Sequence, residues 1–301
     1  MGYPVQFMQP IQLLIYRDWQ GLNMGNNWWK DHDSATMHTI DYYFPWLHFL
    51  DIDTNPTIQN VYASDPGVDG SRFEYNNLAK TQIKLSFYFE FPTYKLYLDK
   101  KHDVQEFFAA KAGFIIGTSY HPNLHACGYC SKVDIKPTSE HIAVFDVILD
   151  NALGMWYSES TQFLEKHWDE RLIYRDLRLP TDLGDDHTWK LHAGHNKVFI
   201  AGDVMMQMTN PIMQMDIHVK GCSSEVTIFN KTSNTTLSAK DKSALPDMTW
   251  HNLDLRADGS NQPLNDKTNS LDFWLDPGWN DIELSGASEA VLDTRFYFTN
   301  L

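Results

Sequence analysis

The residue types most able to bind a metal lie together in one short stretch, YHPNLHACGYC, which contains His121, His125, Cys127 and Cys130. Imidazole and thiolate groups bind zinc when four of them converge in a tetrahedron. A single C-x-x-C pair indicates such a site only weakly, because the one remaining cysteine, Cys222, is distant in the chain. The stretch also falls between predicted strands, away from any helix N-terminus that would lower a thiol pKa. We therefore expect no metal and no redox dithiol, but a loop and strand start with small buried thiols.

Paired carboxylates are a second arrangement that can do chemistry, as general acid and base in a cleft. They occur at Asp169-Glu170 and at Asp185-Asp186. Adjacent carboxylates are far more often solvated, and the chain lacks the nucleophile-elbow, P-loop and H-E-x-x-H motifs. Gly202-Asp203 follows a predicted strand but lacks the glycine spacing of a dinucleotide site. We expect a protein without catalysis, with a zinc-dependent or carboxylate hydrolase as a remaining alternative.

Aromatic residues cluster in an irregular N-terminal region. Tryptophan and tyrosine are enriched at protein interfaces because they bury a large area and keep a polar group. One interpretation is that these residues contact another subunit or a partner protein. The other is that they anchor a long loop to the core of their own domain. The residues concerned are Trp28, Trp29, Tyr42, Tyr43 and Trp46.

Two tryptophans of the second half, Trp250 and Trp279, have side chains that can stack on a sugar ring. In a β-protein such residues more often pack in the core or against a loop. An alternative function, that of a carbohydrate-binding module, therefore predicts that Trp250 and Trp279 contact a saccharide.

The composition sets the class of protein. The 301 residues are 43% hydrophobic and 14% aromatic, which allows a large core and two domains. The formal net charge of −15 and the lack of a Lys/Arg cluster argue against a protein that binds nucleic acid. Three cysteines are too few for a disulfide scaffold. No apolar run reaches the length of a membrane span and no cleavable leader is visible, so we expect synthesis and retention in a cytoplasm.

The first half has the pattern of an α+β domain, which we place at residues 1–158. Apolar and polar side chains alternate strictly over Gln82–Phe91, which predicts a half-buried strand. The period then changes, and a helix is predicted from Lys100 to Ala112, ended by Gly113. Further strands are predicted at 114–116, 129–135 and 141–149. This order favours an antiparallel sheet with one packed helix.

The second half, residues 159–301, has the pattern of an all-β sandwich after a connection, 158–172, that is partly helical. Seven short strands separated by turn residues are predicted. In FWLDPGWNDIEL, Pro277-Gly278 separates two alternating runs, which predicts a hairpin near the end of the sandwich. The predicted strands are 198–200, 213–219, 226–229, 249–255, 271–275, 282–284 and 291–298.

The order of these markers resembles the distal tail proteins of long-tailed phages that infect Gram-positive bacteria, over most of the chain. The first half contributes Gly67-Val68-Asp69-Gly70, the strand 82–91, the helix ending in Phe107-Phe108, and Leu153-Gly154 after the later strands. The second half contributes the runs Ala201–Asp203, Asn210–Gly221 and Thr227–Asn230, and Pro277–Asn280 followed by Val291–Phe298. The segment 26–46 and the Cys/His-rich stretch depart from the family's commonest pattern.

The resemblance implies a ring-forming N-terminal domain, a galectin-like C-terminal β-sandwich and a hexameric ring at the tail tip. Such a ring joins the tail tube protein to the tail-associated fibre or lysin protein and to receptor-binding or other baseplate proteins. DNA passes through it without specific binding, and the virion assembles in the host cytoplasm. The resemblance implies no cofactor. It also places the protein at the distal end of the virion tail.

Overall fold

A computed structural model describes residues 11–18, 37–64, 66, 69–167, 170–180, 189–259, 262–269 and 272–300. These residues form a mostly β protein with two compact units. One unit ends at Met155 and also includes Asn300, and the other begins at Trp156. No helix in the described ranges is long and apolar enough to cross a membrane.

The first unit contains nine of the described strands and two helices. The strands are β1 (Leu13–Asp18), β2 (His38–Thr39), β3 (His48–Thr54), β4 (Ile58–Ala63), β5 (Arg72–Leu78), β6 (Thr81–Glu90), β7 (Gly113–Thr118), β8 (Leu124–Val133) and β9 (Ile142–Asn151). The helices are α1 (Ile40–Tyr43) and α2 (Tyr94–Phe108).

The second unit contains eleven described strands and two helices. The strands are β10 (Trp156–Ser158), β11 (Lys190–Ile200), β12 (Met206–Gln207), β13 (Met215–Lys220), β14 (Glu225–Asn230), β15 (Thr235–Lys240), β16 (Met248–His251), β17 (Asp254–Ala257), β18 (Trp274–Leu275), β19 (Gly278–Thr294) and β20 (Tyr297–Phe298). The helices are α3 (Thr161–Lys166) and α4 (Glu170–Leu177), with a short 3-10 turn at Asn265–Lys267.

The main sheet of the first unit runs in the order β2-β1-β7-β8-β9-β6-β3, with antiparallel pairing throughout. The alternation predicted for β6 is confirmed, because Ile83, Leu85, Phe87 and Phe89 are fully buried while the residues between them are more exposed. Hydrophobic burial on one face of a strand is what fixes its register. Strands β4 and β5 form a separate hairpin outside this sheet.

Helix α2 differs from its prediction at both ends. It begins at Tyr94, where the Thr93 hydroxyl accepts a hydrogen bond from the Leu96 backbone N–H at 3.4 Å and caps the helix. The first turns of α2 lack the helical spacing of apolar residues that its second half has. The predicted helix therefore begins several residues after the true start. The helix ends at Phe108, four residues before the predicted end, and Gly113 begins β7.

The second unit is organised by the 17-residue strand β19. Its first half pairs with β11 and β14, and its second half pairs with β11 and β13. At the change of partner, Gly286 has φ +74°, and a Cβ there would overlap the carbonyl oxygen of Glu225. Strand β11 has a register shift between His192 and Gly194, where glycine again adopts a positive φ. Bulges of this kind let both strands bend together.

Three strand predictions of the second unit need correction. The predicted strand 249–255 is two strands, β16 and β17, joined by a reversal in which Asn252 has φ 52°. The predicted strands 282–284 and 291–298 are largely one strand, β19, because the bend at Gly286 keeps the pairing continuous.

The predicted hairpin in FWLDPGWNDIEL is also wrong. Strand β18 pairs with β12, whereas β19 pairs with other strands. The buried side chain of Asn280 bonds the backbone of the corner: Oδ1 accepts from Asp276 N–H at 3.1 Å, and Nδ2 donates to the Asp276 and Gly278 carbonyls. These bonds hold the backbone of the corner that separates β18 from β19.

Candidate subunit interface and ligand surface

The hairpin β4–β5 is the most exposed regular structure of the first unit. Its large apolar side chains lie open to solvent, with exposed fractions of 51–57% for Ile58, Tyr62, Phe73 and Tyr75. Tyr62 and Phe73 contact each other edge to face at 5.9 Å. An isolated two-stranded hairpin is marginally stable in water, so this one presents an apolar surface without a core beneath it.

A groove opens between the two ends of the main sheet. Strands β1 and β3 lie near opposite ends of the strand order, yet residues in or next to both line a single cavity of 490 Å³, so the sheet curls back toward itself. We call this cavity the β1–β3 groove. His48 stacks on Tyr88 at 4.7 Å in its wall. The lining residues are Ile11, Gln12, Ile40, Asp41, His48, Phe49, Leu50 and Tyr88.

The aromatic residues predicted as an interface fall into three groups. Trp28 and Trp29 lie outside the described residues. Tyr42 is 68% exposed and stacks on His38 at 4.4 Å, beside the groove residue Asp41. Tyr43 and Trp46 are half-buried and pack on their own unit.

The contacts of Tyr43 and Trp46 are with the helix α2 and strand β6. The Tyr43 ring lies 5.0 Å from that of Phe107, and burial raises the pKa of its hydroxyl. Trp46 packs against Phe89, with the Lys100 ammonium 4.8 Å from its ring centroid. Burial lowers the pKa of that ammonium. Of the described residues of this set, only Tyr42 is mostly exposed to solvent.

The histidines and cysteines of YHPNLHACGYC do not form a metal site. His125 and Cys127 lie within β8, and the expected loop is limited to the turn before Leu124. Burial raises the pKa values of the Cys127 and Cys130 thiols, which keeps both protonated and unreactive. Among the described residues there is no group of three acidic, histidine or cysteine side chains placed to hold a metal.

The carboxylate pairs yield no site in the described part of the chain. Asp169 and the pair Asp185-Asp186 lie outside the described residues, and nothing is described of the Glu170 side chain.

The two tryptophans of the second unit have opposite surroundings. Trp250 is fully buried, and its indole N–H donates to the Thr268 hydroxyl at 2.9 Å. Its ring faces are therefore closed to a ligand, which corrects the saccharide prediction at this position. Trp279 is 44% exposed and lies 5.4 Å from Phe199, its partner across β11 and β19.

Sequence reasoning missed the hairpin β4–β5, and although it predicted a strand at 198–200, it did not place Phe199 beside Trp279. The alternation in Arg72–Leu78 was a usable signal for the hairpin. No local pattern places Phe199 against Trp279, because their pairing joins positions 80 residues apart.

Residues 35–151 match the model of the phage tail protein RIFT-related domain family. The matched segment, roughly two fifths of the chain, is similar to a phage tail RIFT-related domain. A comparison with curated proteins gave no match.

The fold is also similar to that of a solved phage protein over nearly the whole chain. It is similar to the Dit (gp 19.1) protein of phage SPP1, described as a paradigm of the hub adsorption apparatus in phages infecting Gram-positive bacteria. The TM-score is 0.55 at 11% identity, over 96% of this chain and 100% of that chain. Two structures of the activated phage p2 baseplate, with strontium and with calcium, match at 10% identity and a TM-score of 0.38, over 95–96% of this chain and 98% of theirs. The RIFT-related domain and the SPP1 Dit fold confirm the resemblance to distal tail proteins.

Proposed function

We propose that this protein is a structural hub of a phage tail tip, in which six copies form a ring around the path of the DNA. The observation that carries the proposal is the similarity of nearly the whole chain to SPP1 Dit, a protein of a hub adsorption apparatus. The RIFT-related domain supports it from the sequence side. In this role residues 1–158 form the ring and residues 159–301 a galectin-like sandwich.

The hairpin β4–β5 and the β1–β3 groove provide a means of closing the ring. In this arrangement the hairpin of one copy packs into the groove of the next. A contact between two different surfaces of the same chain is heterologous, and such contacts close into rings when the rotation allows. Packing would cover Tyr62 and Phe73, and it would bring the exposed Arg72 toward Asp41 of the groove.

The charge of the chain suits a channel for DNA. The formal net charge of −15 gives a ring of six copies a strong negative potential. Negative side chains along a channel discourage the binding of phosphates, so DNA passes without adhering. The proposed neighbours are the tail tube protein, the tail-associated fibre or lysin protein, and receptor-binding or other baseplate proteins.

The test is negative-stain imaging of the purified protein, classified by symmetry, beside its mass in solution. We expect six-fold rings with a central hole. Replacing Tyr62 and Phe73 together by serine should release monomers that keep the wild-type circular dichroism spectrum. Tyr94→Ser, at an aromatic residue on α2 that is at least as exposed, is the matched control and should leave rings intact. Rings that persist in the double variant would exclude the hairpin as the closing contact, and a wild-type monomer would argue against self-assembly.

A further inference from the structure

The outward face of strands β11 and β19 carries an ordered set of aromatic and charged side chains. Along β19 the alternate residues Asn280, Ile282 and Leu284 are buried, so the residues between them point outward. Pairing aligns the outward residues of the two strands in rows of Phe199 with Trp279, Lys197 with Asp281, and His195 with Glu283. We call these six residues the Trp279 face.

Trp279 is held in place by the corner that precedes it. Asn280 bonds the backbone at Asp276 and Gly278, on either side of the reversal. On the neighbouring strand, the Phe199 carbonyl accepts a hydrogen bond of 3.0 Å from the Trp189 indole. An exposed aromatic ring on a fixed backbone loses little conformational entropy when a ligand covers it.

The charged groups of the face and its rim are balanced in number. His195 Nδ1 lies 2.9 Å from Asp281 Oδ1, and Lys231 Nζ, at the rim, lies 2.9 Å from Glu283 Oε2. Lys197 is exposed and has no ion pair or hydrogen bond within the described residues. The charges of two lysines, Lys197 and Lys231, thus balance those of two carboxylates, Asp281 and Glu283. Such a face offers hydrogen-bond donors and acceptors at fixed positions without a net charge to attract a polyanion.

We propose that the Trp279 face binds a neutral, β-linked hexopyranose chain. The C–H face of one sugar ring stacks on Trp279, and neighbouring hydroxyls bond to Lys197, Asp281 and Glu283. Two consecutive outward rows are separated by two residues, roughly 7 Å, so polar groups lie within reach of the ring stacked on the aromatic row. This activity is independent of the hub role and adds saccharide binding to it.

Other classes of ligand fit this surface less well. A protein partner needs a larger apolar centre, and among the described residues of the face only one large apolar side chain, Trp279, is classed as exposed, at 44%. A cofactor needs a concave pocket. An extended sheet face with one open ring and polar neighbours suits a glycan, whose own surface alternates C–H and hydroxyl groups.

Saturation-transfer difference NMR tests the proposal, because it observes the sugar and does not depend on tryptophan fluorescence. The probes are lactose, cellopentaose and chitopentaose, used with the full chain. We expect transfer from at least one probe, strongest to the ring C–H protons, with a dissociation constant on the order of 1 mM. Trp279→Ala should abolish transfer, and Trp279→Phe, which keeps a stacking surface, should retain part of it.

Tyr94→Ala removes an exposed aromatic residue of the other unit and should bind like the wild type. The absence of transfer from all three probes would overturn the proposal, as would equal transfer to the Trp279→Ala variant. Each variant is also imaged for rings. The two proposals therefore fail separately, because a wild-type protein that forms rings but binds none of the three probes counts only against the glycan site.

Discussion

The side-chain amide of Asn230 donates a hydrogen bond of 2.9 Å to Oδ1 of Asn280, and both residues are fully buried. Asn230 also donates to the Trp274 carbonyl, so one pair of amides connects β14, β18 and the start of β19. Satisfied buried polar networks fix a single arrangement of the strands around them. This pair therefore sets the position of the corner that carries Trp279.

Asn280→Ala should destabilise the second unit, because it leaves the Asp276 N–H, two carbonyls and the Asn230 amide without their partner. An unsatisfied buried polar group costs about 1–3 kcal/mol, and we expect a loss of about 3 kcal/mol in the free energy of unfolding. Urea denaturation measures it. Asn76→Ala, in the exposed hairpin, is the control and should change stability by less than about 0.5 kcal/mol. Equal values for the two variants would refute the role of the amide pair.

A buried ion pair supports a second prediction. Arg295 Nη1 lies 3.4 Å from Glu159 Oε2 and donates to the Ser158 carbonyl at 3.1 Å, with both charged groups almost fully buried. Glu159→Gln removes the carboxylate charge beside this buried guanidinium, and we expect a loss of about 3 kcal/mol in the free energy of unfolding.

The exposed pair Lys240–Glu225 provides the comparison for Glu159→Gln. Glu225→Gln should cost about 0.5 kcal/mol or less, because solvent screens the interaction. Thermal unfolding of both variants would show the difference, and similar melting temperatures would contradict it.

Gly286→Ala tests the bend in β19. Gly286 and Gly259 both have φ near +75°, so alanine is strained at either position by about 1–2 kcal/mol. Only at Gly286 would the added methyl group overlap a backbone oxygen, that of Glu225, whereas the space beside Gly259 is open. We therefore expect Gly286→Ala to be clearly more destabilising than Gly259→Ala in urea titrations. Equal effects would mean that β14 moves aside at little cost.

The stability of the protein should depend on pH through Asp293. Burial raises its pKa from the ordinary value of 3.8, and nearby Asp216 adds to the shift. The folded protein then retains this proton to a higher pH than the unfolded chain does. Stability therefore falls as the pH rises through that window, and the ionised carboxylate opposes folding at neutral pH. Asp293→Asn should consequently gain stability relative to the wild type between about pH 4 and pH 7.

The control for Asp293 has the opposite sign. Hydrogen bonds from Asn265 and then Arg256 lower the pKa of Asp254, which contributes stability above its ordinary pKa that is lost as the pH falls. Asp254→Asn should therefore lose stability relative to the wild type as the pH rises to about 4, below the range in which Asp293→Asn gains it. Urea titrations from about pH 2 to pH 7 measure the two trends, and parallel curves for Asp293→Asn and wild type above about pH 4 would contradict the assignment.

Local periodicity was enough to identify the elements whose pattern is set by burial of one face. Strand β6 is the clearest case, because alternate phenylalanines and leucines have one side on which to be buried. The second half of α2 could be predicted for the same reason. The order of such elements also carried the resemblance to distal tail proteins.

Long-range pairing decided the rest, and local sequence does not encode it. The chain by itself indicates strands on both sides of Pro277-Gly278, but only the packed structure assigns β18 to β12 and β19 to β11. Likewise, Trp250 and Trp279 look alike in sequence, yet one is sealed in the core and the other is open. Burial of a side chain depends on which distant strands cover it, and that choice is made by the free energy of the whole unit.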